Sequence, residues 1–322
     1  MYSTIAVFRA LQLGDMLCVI PACRALRHAF PQAHIALIGL PWANDLIYRF
    51  PAYFDEFIAF PGYPGLPEQP VNARATDAFC DAIRQRKFDL LLQMHGNGSI
   101  VNPFMETLGA RVTGGFCRQE EYGPYPDTYL EYPEDEHEIN RHLLLMRHLG
   151  IPTQGAHLEF PYATMIKLPS RPYICVHPAS RCAARQWRPR YFAALADHFA
   201  AKGYTIVLTG TAGERKVAAE VAARMEYRSM NLAGQTSLDG VAALLQQAAA
   251  LFSNSTGVSQ IAAALETPSV IISMDGEPHR RAPLNKRLHR TIDWTVIPDY
   301  NAVLNEAAAL LASERVPGQL RC

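Results

Sequence analysis

The chain has 322 residues, 49% of them hydrophobic and 19% charged, with 30 Lys and Arg set against 30 Asp and Glu. That length suggests one large domain or two ordinary ones with ample core, and the composition excludes a disordered, collagenous or coiled-coil chain. A zero balance also speaks against a general nucleic-acid binder, which needs a basic excess. The balance hides an asymmetry: residues 1–160 carry 12 basic and 18 acidic residues (12 − 18 = −6), and residues 161–322 carry the other 18 and 12 (+6). Two domains with different ligands, the second an anion, would give this pattern, and so would chance scatter. Seven cysteines without a CxxC pair read as free thiols in a reducing compartment. The opening MYSTIAVFRA has neither a basic n-region nor a long apolar run, and no stretch approaches 18 apolar residues. A cytoplasmic protein is expected, with attachment to a membrane surface left open.

Short apolar runs alternate with longer amphipathic ones, the signature of βαβ units and a parallel sheet. Strands are predicted over 5–8, 35–38, 56–60 and 89–93, and helices over about 16–30, 42–50, 75–86 and 139–149. A Gly14-Asp15 turn joins the first strand to its helix, and the fourth strand ends at His95-Gly96-Asn97-Gly98. Residues 61–72, with four prolines and two glycines, must be a loop, and 118–136 form a second irregular stretch with Tyr122, Pro124, Tyr125 and an acidic cluster. Both fall at the C-terminal edge of the sheet, as lids or as long surface loops. Periodicity is lost over 151–171, the best linker, and then restarts. Strands follow over 173–177, 205–209, 250–253 and 269–273, and helices over 189–202, 213–225, 237–248, 257–265 and 301–313. The fold class is α/β: two doubly wound Rossmann-like domains in tandem.

Three segments of the second half could bind an anion. His177-Pro178-Ala179-Ser180 followed by Arg181, Arg185 and Arg188 would make an electropositive mouth at a strand end, Arg being suited to bidentate phosphate contact. TIVLTG, closing on Gly210, leads into TAGERK with a helix starting near Glu214, so backbone N–H groups would face an anion. LFSNSTGVSQIAAAL puts Ser255, Thr256 and Gly257 where a strand becomes a helix, which suits a phosphate or merely supplies a Ser/Thr N-cap. In the first half Asp15 is either an N-cap or a general base for an acceptor hydroxyl.

Taken together these segments resemble family 9 glycosyltransferases, the ADP-heptose:lipopolysaccharide heptosyltransferases. The opening IAVFRALQLGDMLCVIPACRALRHAFPQAHIALIG is similar to that family's strand, GD turn and helix. HPAS, RQWRPRYFAALADHFAAKGYTIVLTGTAGE and NLAGQTSLDGVAALLQQAAALFSNSTGVSQIAAALETP follow in the family's order. The resemblance implies a GT-B architecture, two Rossmann-like domains facing a cleft. An acceptor domain would span 1–160 and a nucleotide-sugar domain 161–300, with a C-terminal helix in 301–322 returning toward the first domain. It implies an inverting transfer from an ADP-sugar, a substrate rather than a cofactor, with no cofactor and no bound metal. The other partner would be a glycan or lipid-linked glycan acceptor, not nucleic acid, with peripheral contact at the inner membrane.

By the same resemblance Asp15 is the catalytic base. Ser180, Arg185, Gly210, Glu214, Ser255, Thr256, Gly257 and Gln260 hold the donor, and Gly14, Gly96 and Asn97 lie on the acceptor side. Ser255 stands where the family usually has Asp, and Gln260 where it usually has His, so contacts to the donor sugar or its phosphates differ. Those two departures keep open a nucleotide-sugar-binding protein without catalysis. An NDP-sugar 2-epimerase of the same architecture also fits the fold, although it leaves the GD opening unexplained.

Overall fold

In the computed structural model, which describes residues 2–118, 126–164, 166–170 and 172–313, each half of the sequence builds a parallel sheet of its own. The first runs β1 (Thr4–Phe8), α1 (Leu13–Ala29), β2 (His34–Gly39), α2 (Asn44–Arg49), β3 (Glu56–Ala59), α3 (Ala73–Arg86), β4 (Leu90–Gln93), α4 (Val101–Glu106), β5 (Val112–Cys117), β6 (Tyr129–Glu131) and α5 (Glu138–His148). The second runs β7 (Tyr173–His177), α6 (Pro189–Ala200), β8 (Thr205–Leu208), α7 (Arg215–Arg224), β9 (Ser229–Asn231), α8 (Leu238–Gln247), β10 (Ala250–Asn254), α9 (Gly257–Ala264), β11 (Ser269–Ser273), α10 (Pro278–Arg281), β12 (His289–Asp293) and α11 (Tyr300–Ser313). The strand orders are β3-β2-β1-β4-β5-β6 and β12-β11-β10-β7-β8-β9, the same doubly wound order in both. Each sheet therefore reverses direction between its first and fourth strands, β1/β4 and β7/β10, where open α/β sheets leave a crevice for ligands.

The central strands are apolar along their length because helices cover both faces. In the first unit Phe8 points into a cluster with Phe60 and Phe104, at ring separations of 5.1 and 5.8 Å. On the other face α1 packs against α5, with Cys18 against Ile139 and Leu143. In the second unit fully buried Trp187 meets Tyr191, Phe192 and Trp294 at 5.0 to 5.3 Å. Helix α11 adds Val303, Ala307, Leu310 and Leu311 to that same core. Residues 314–322, the remainder of the predicted C-terminal segment, lie outside the described residues.

The chain divides into Met1–Pro161 and Tyr162–Cys322. Only the latter part of the predicted linker joins them, because residues up to 161 are strapped to the first unit. Glu159 pairs with Arg24 and accepts from the Tyr53 hydroxyl at 2.8 Å, and the Arg49 guanidinium lies 4.3 Å from the centre of the Phe160 ring. Two local expectations need correction. Helix α1 begins at Leu13, with Gln12 as N-cap, so Gly14 and Asp15 occupy its first turn rather than a turn preceding it. The stretch 118–136 is not wholly irregular, since β6 pairs with β5 through Gly115, Phe116 and Cys117. Residues 119–125 of that stretch, including Tyr122, Pro124 and Tyr125, lie outside the described residues. No helix among the described residues is long and apolar enough to cross a membrane.

Candidate active site

The second unit gathers its polar groups at the β7/β10 switch point, where Ser253 and His177 are register partners. Asn254, the last residue of β10, is fully buried and organises the surroundings. Its Oδ1 accepts from Trp187 N–H at 2.8 Å, and its Nδ2 donates to the Pro178 carbonyl at 2.7 Å. One amide thus fastens the segment after β7 beside the strand end that leads into Ser255, Thr256 and Gly257. Buried Ser180 is held there too, its carbonyl accepting from Gln186 Nε2 at 2.7 Å. Trp187 anchors the far end of the loop in the core, which leaves the short 3-10 turn Ala183–Arg185 on the outside. The Arg185 side chain is half exposed, with Nε 3.5 Å from Asp275 Oδ2.

Thr256 sits at the N-cap position of α9, yet its hydroxyl makes no capping bond and meets no hydrogen-bond partner. The N-cap alternative therefore fails for this side chain, whose Oγ1 is a buried hydroxyl left unpartnered at the start of α9, beside the helix's first N–H groups. Gln260, one turn on and only 4% exposed, donates from Nε2 to the Arg281 carbonyl at 2.7 Å, while its Oε1 has no partner. Ser255 donates its N–H to the Ile272 carbonyl at 3.0 Å and is half buried.

Gly210 follows β8 in a confined place, where an added Cβ would lie 3.3 Å from the Glu214 Cβ. Glu214 Oε2 accepts from Thr211 N–H at 2.7 Å and completes a capping box, so one carboxylate oxygen already serves the start of the helix. The same oxygen stands 3.8 Å from His177 Nε2, and His177 Nδ1 lies 3.1 Å from Thr209 Oγ1. Burial lowers the His177 pKa, against the opposing pull of Glu214. Sequence reasoning placed His177 and Asn254 only within candidate anion-binding segments, with no role of their own, and did not mark Asp275 at all. All three lie at or just beyond strand C-termini, which was the available signal.

In the first unit Gly14 and Asp15 lie at the start of α1, beside the end of β1. Asp15 is half buried and stands at the third helical position, so the N-cap alternative fails here as well. Its carboxylate adds favourably to the positive end of the helix. Its main-chain carbonyl accepts from Arg9 Nε at 2.9 Å. Across the switch point Gly96 is exposed with φ +68°, and Asn97 turns its Oδ1 back to the Ser99 hydroxyl at 3.0 Å. Next to them His95 accepts from Ala10 N–H through Nδ1 at 3.2 Å, which leaves its Nε2 proton facing Glu68 Oε1 at 3.6 Å. Glu68 comes from the Pro-rich loop 61–72, so that loop reaches the crevice. Among the described residues no group of three or more His, Cys, Asp or Glu is placed to hold a metal ion.

Comparison with known proteins bears on the fold and the family. Residues 77–293 match the model of glycosyltransferase family 9 (heptosyltransferase). Lipopolysaccharide heptosyltransferase 2 of Escherichia coli strain K12 is 25% identical over 320 residues, covering 92% of this chain and 89% of that protein. Among solved structures, the family 9 glycosyl transferase of Veillonella parvula superposes with a TM-score of 0.79 at 17% identity, over 97% of this chain and 98% of that one. The E. coli ADP-heptose lps heptosyltransferase II superposes at 0.75 with 24% identity, over 97% and 100%. Both structures share the paired Rossmann-like units of the GT-B fold. These matches do not favour the epimerase or the catalytically silent binder. The chain belongs to glycosyltransferase family 9, the heptosyltransferases.

Proposed function

We propose that this glycosyltransferase moves heptose from ADP-heptose to a hydroxyl of a lipopolysaccharide-core acceptor, inverting the anomeric centre without a bound metal or cofactor. The observation that carries the proposal is that hydroxyl, guanidinium and helix N–H groups follow β7 and β10, whose ends Asn254 fastens together at the switch point, in a chain of this family. A diphosphate leaving group needs this kind of surface, because negative charge grows on its oxygens as the glycosidic bond breaks.

In the step itself the Asp15 carboxylate takes the proton of the acceptor hydroxyl. The acceptor oxygen forms its bond to the anomeric carbon as the bond from that carbon to the β-phosphate oxygen breaks. The electron pair leaves with ADP, whose charge Arg185, Ser180, Thr256 and the Gly257 N–H receive. Glu214 binds the adenosine ribose with the oxygen not used for capping, Gly210 gives the nucleotide room beside it, and Ser255 and Gln260 face the donor. Gly14, Gly96 and Asn97 line the acceptor side, next to His95 and Glu68. The protein would work in the cytoplasm, at the inner-membrane face where a lipid-linked acceptor is presented.

The test is direct. Purified protein with ADP-heptose and deacylated lipopolysaccharide core should release ADP in step with glycosylated core, and release should need the acceptor. Tight ADP-heptose binding with no transfer to any core acceptor would instead mark a binding protein, and epimerised free nucleotide-sugar would mark an epimerase.

A further inference from the structure

Arg9 is the first residue beyond β1 and is completely buried. A buried arginine is costly unless its charge is paired and its nitrogens are hydrogen-bonded, and here each of the three nitrogens bonds a different element. Nε donates to the Asp15 carbonyl at 2.9 Å, in the first turn of α1. Nη1 donates to the Met94 carbonyl just past β4, two residues before Gly96. Nη2 meets Glu138 Oε1 of α5 at 2.8 Å.

Glu138 is itself locked. Its other oxygen pairs with Arg141, and Oε1 also meets His142 Nε2 at 3.2 Å. Arg141 spends its remaining donors on the Pro133, Glu134 and Glu136 carbonyls at 3.0 to 3.1 Å. The anchor beneath Arg9 therefore cannot swing. Two guanidinium groups share one buried carboxylate, and burial holds His142 neutral, with a pKa pushed down to about 4. Burial works against the charge on Arg9; Glu138 first and then Asp15 outweigh it. Asp15 is thus tied to Arg9 by its main chain and by its charge.

An arginine kept only for packing would have no reason to join these three elements. We propose that Arg9 is the positioning residue for Asp15: by clamping the first turn of α1 to the end of β4, it sets where the carboxylate stands relative to the Gly96–Asn97 segment. This rests on the assignment of Asp15 as the base. Arg9 touches neither substrate; it acts through the backbone that carries Asp15, and misplacing a reacting group by about an ångström can cost on the order of a hundredfold in rate.

The test compares Arg9→Lys, Asp15→Asn and the double variant in the ADP-heptose and core assay. Lys keeps the positive charge but cannot bridge three acceptors in a fixed plane. Arg9→Lys should lower kcat roughly 10- to 100-fold and leave KM for ADP-heptose within about twofold, because the donor groups belong to the second unit. In the Asp15→Asn background it should cost less than about twofold more, since two residues acting as one unit are not additive. A purely structural Arg9 would instead slow the double variant by the product of the two effects, which would overturn the proposal, as would near-normal kcat in folded Arg9→Lys. If Asp15→Asn alone turns over normally, the base assignment falls, whatever Arg9→Lys does. Should Arg9→Lys fail to fold, Glu138→Gln, which loosens the same clamp while keeping an acceptor oxygen, should lower kcat with ADP-heptose KM unchanged. Unaltered kcat in folded Glu138→Gln would sink the idea.

Discussion

The two units share one strand order and diverge at the ends of their switch-point strands. In the first, the residue leaving β1 is a buried arginine whose bonds all end on protein groups. In the second, the residues after β7 and β10 leave Thr256 Oγ1 and Gln260 Oε1 without a partner and Arg185 half exposed. The same frame thus yields a fully bonded platform in one half and, in the other, buried polar atoms without partners beside a half-exposed guanidinium. The charge asymmetry follows the same division. The acidic half holds Arg9, Arg141 and Arg24 in internal pairs, and the basic half keeps arginines at its strand ends.

The largest effect expected from this division is at Asp15. Replacing it by Asn should lower kcat by about 10²–10⁴-fold, the usual contribution of a general base, with ADP affinity unchanged by calorimetry because no donor group is altered. Weakened ADP binding of comparable size would place Asp15 with the donor and erase the contrast. Next is Arg185→Met, which removes a charge from the leaving-group side. A loss of about 10²–10³-fold in kcat is expected, together with a raised KM for ADP-heptose. A change confined to KM would mean that Arg185 holds the diphosphate equally in ground and transition states.

A third expectation treats the units as alike. Each buries a histidine that burial pushes down to about 4: His142 in the first, with the Arg9 charge helping, and His289 in the second, bonded to the Ser269 hydroxyl at 2.7 Å. The folded values lie below the ordinary value of about 6.5, so the unfolded chain binds more protons between the two. Stability therefore falls as pH drops from about 6.5 toward 4, by roughly 3 kcal/mol for each histidine. Denaturant midpoints across that range should flatten in both His142→Gln and His289→Gln. Flattening in only one would show that the units do not share this acid sensitivity.

Both sheets were legible because their central strands are apolar runs bounded by turn residues, and the site segments were legible because they follow those strands. The strands that escaped are explained by what they pack against. β5 reads Val-Thr-Gly-Gly-Phe-Cys, its strand formers interrupted by two glycines, yet a Cβ on Gly115 would clash with the Gln93 carbonyl oxygen and one on Gly114 would lie 2.8 Å from that of Thr128. Contact with its neighbours demands glycine there, and no local pattern announces it. β12, His-Arg-Thr-Ile-Asp, is a polar edge strand, and β6 and β9 have three residues each. Arg9 was hidden differently. A charged residue at a strand end reads as solvent-facing, and its partner Glu138 lies 129 positions away.

The smallest effect, and the sharpest probe of the open half, concerns Asp275. Its carboxyl is partly buried, which by itself would raise its pKa. The Ser273 hydroxyl at 2.8 Å, the Glu277 N–H and the charges of Arg185 and Arg281 reverse this and hold it low. Asp275 is thus ionised beside the guanidinium that the diphosphate would use. A half-exposed pair of this kind contributes little to stability, about 0–1 kcal/mol, so Asp275→Asn should melt within about 2 °C of the parent. Freed from its carboxylate, Arg185 should take the diphosphate more readily, lowering KM for ADP-heptose by roughly threefold at low salt and less near 1 M, where surface charge is screened. A rise in KM would mean something else: that Asp275 itself holds the donor sugar, supplying from the end of β11 the carboxylate that family members usually carry where this chain has Ser255. The sign of that shift separates a competitor for Arg185 from a ligand of the sugar.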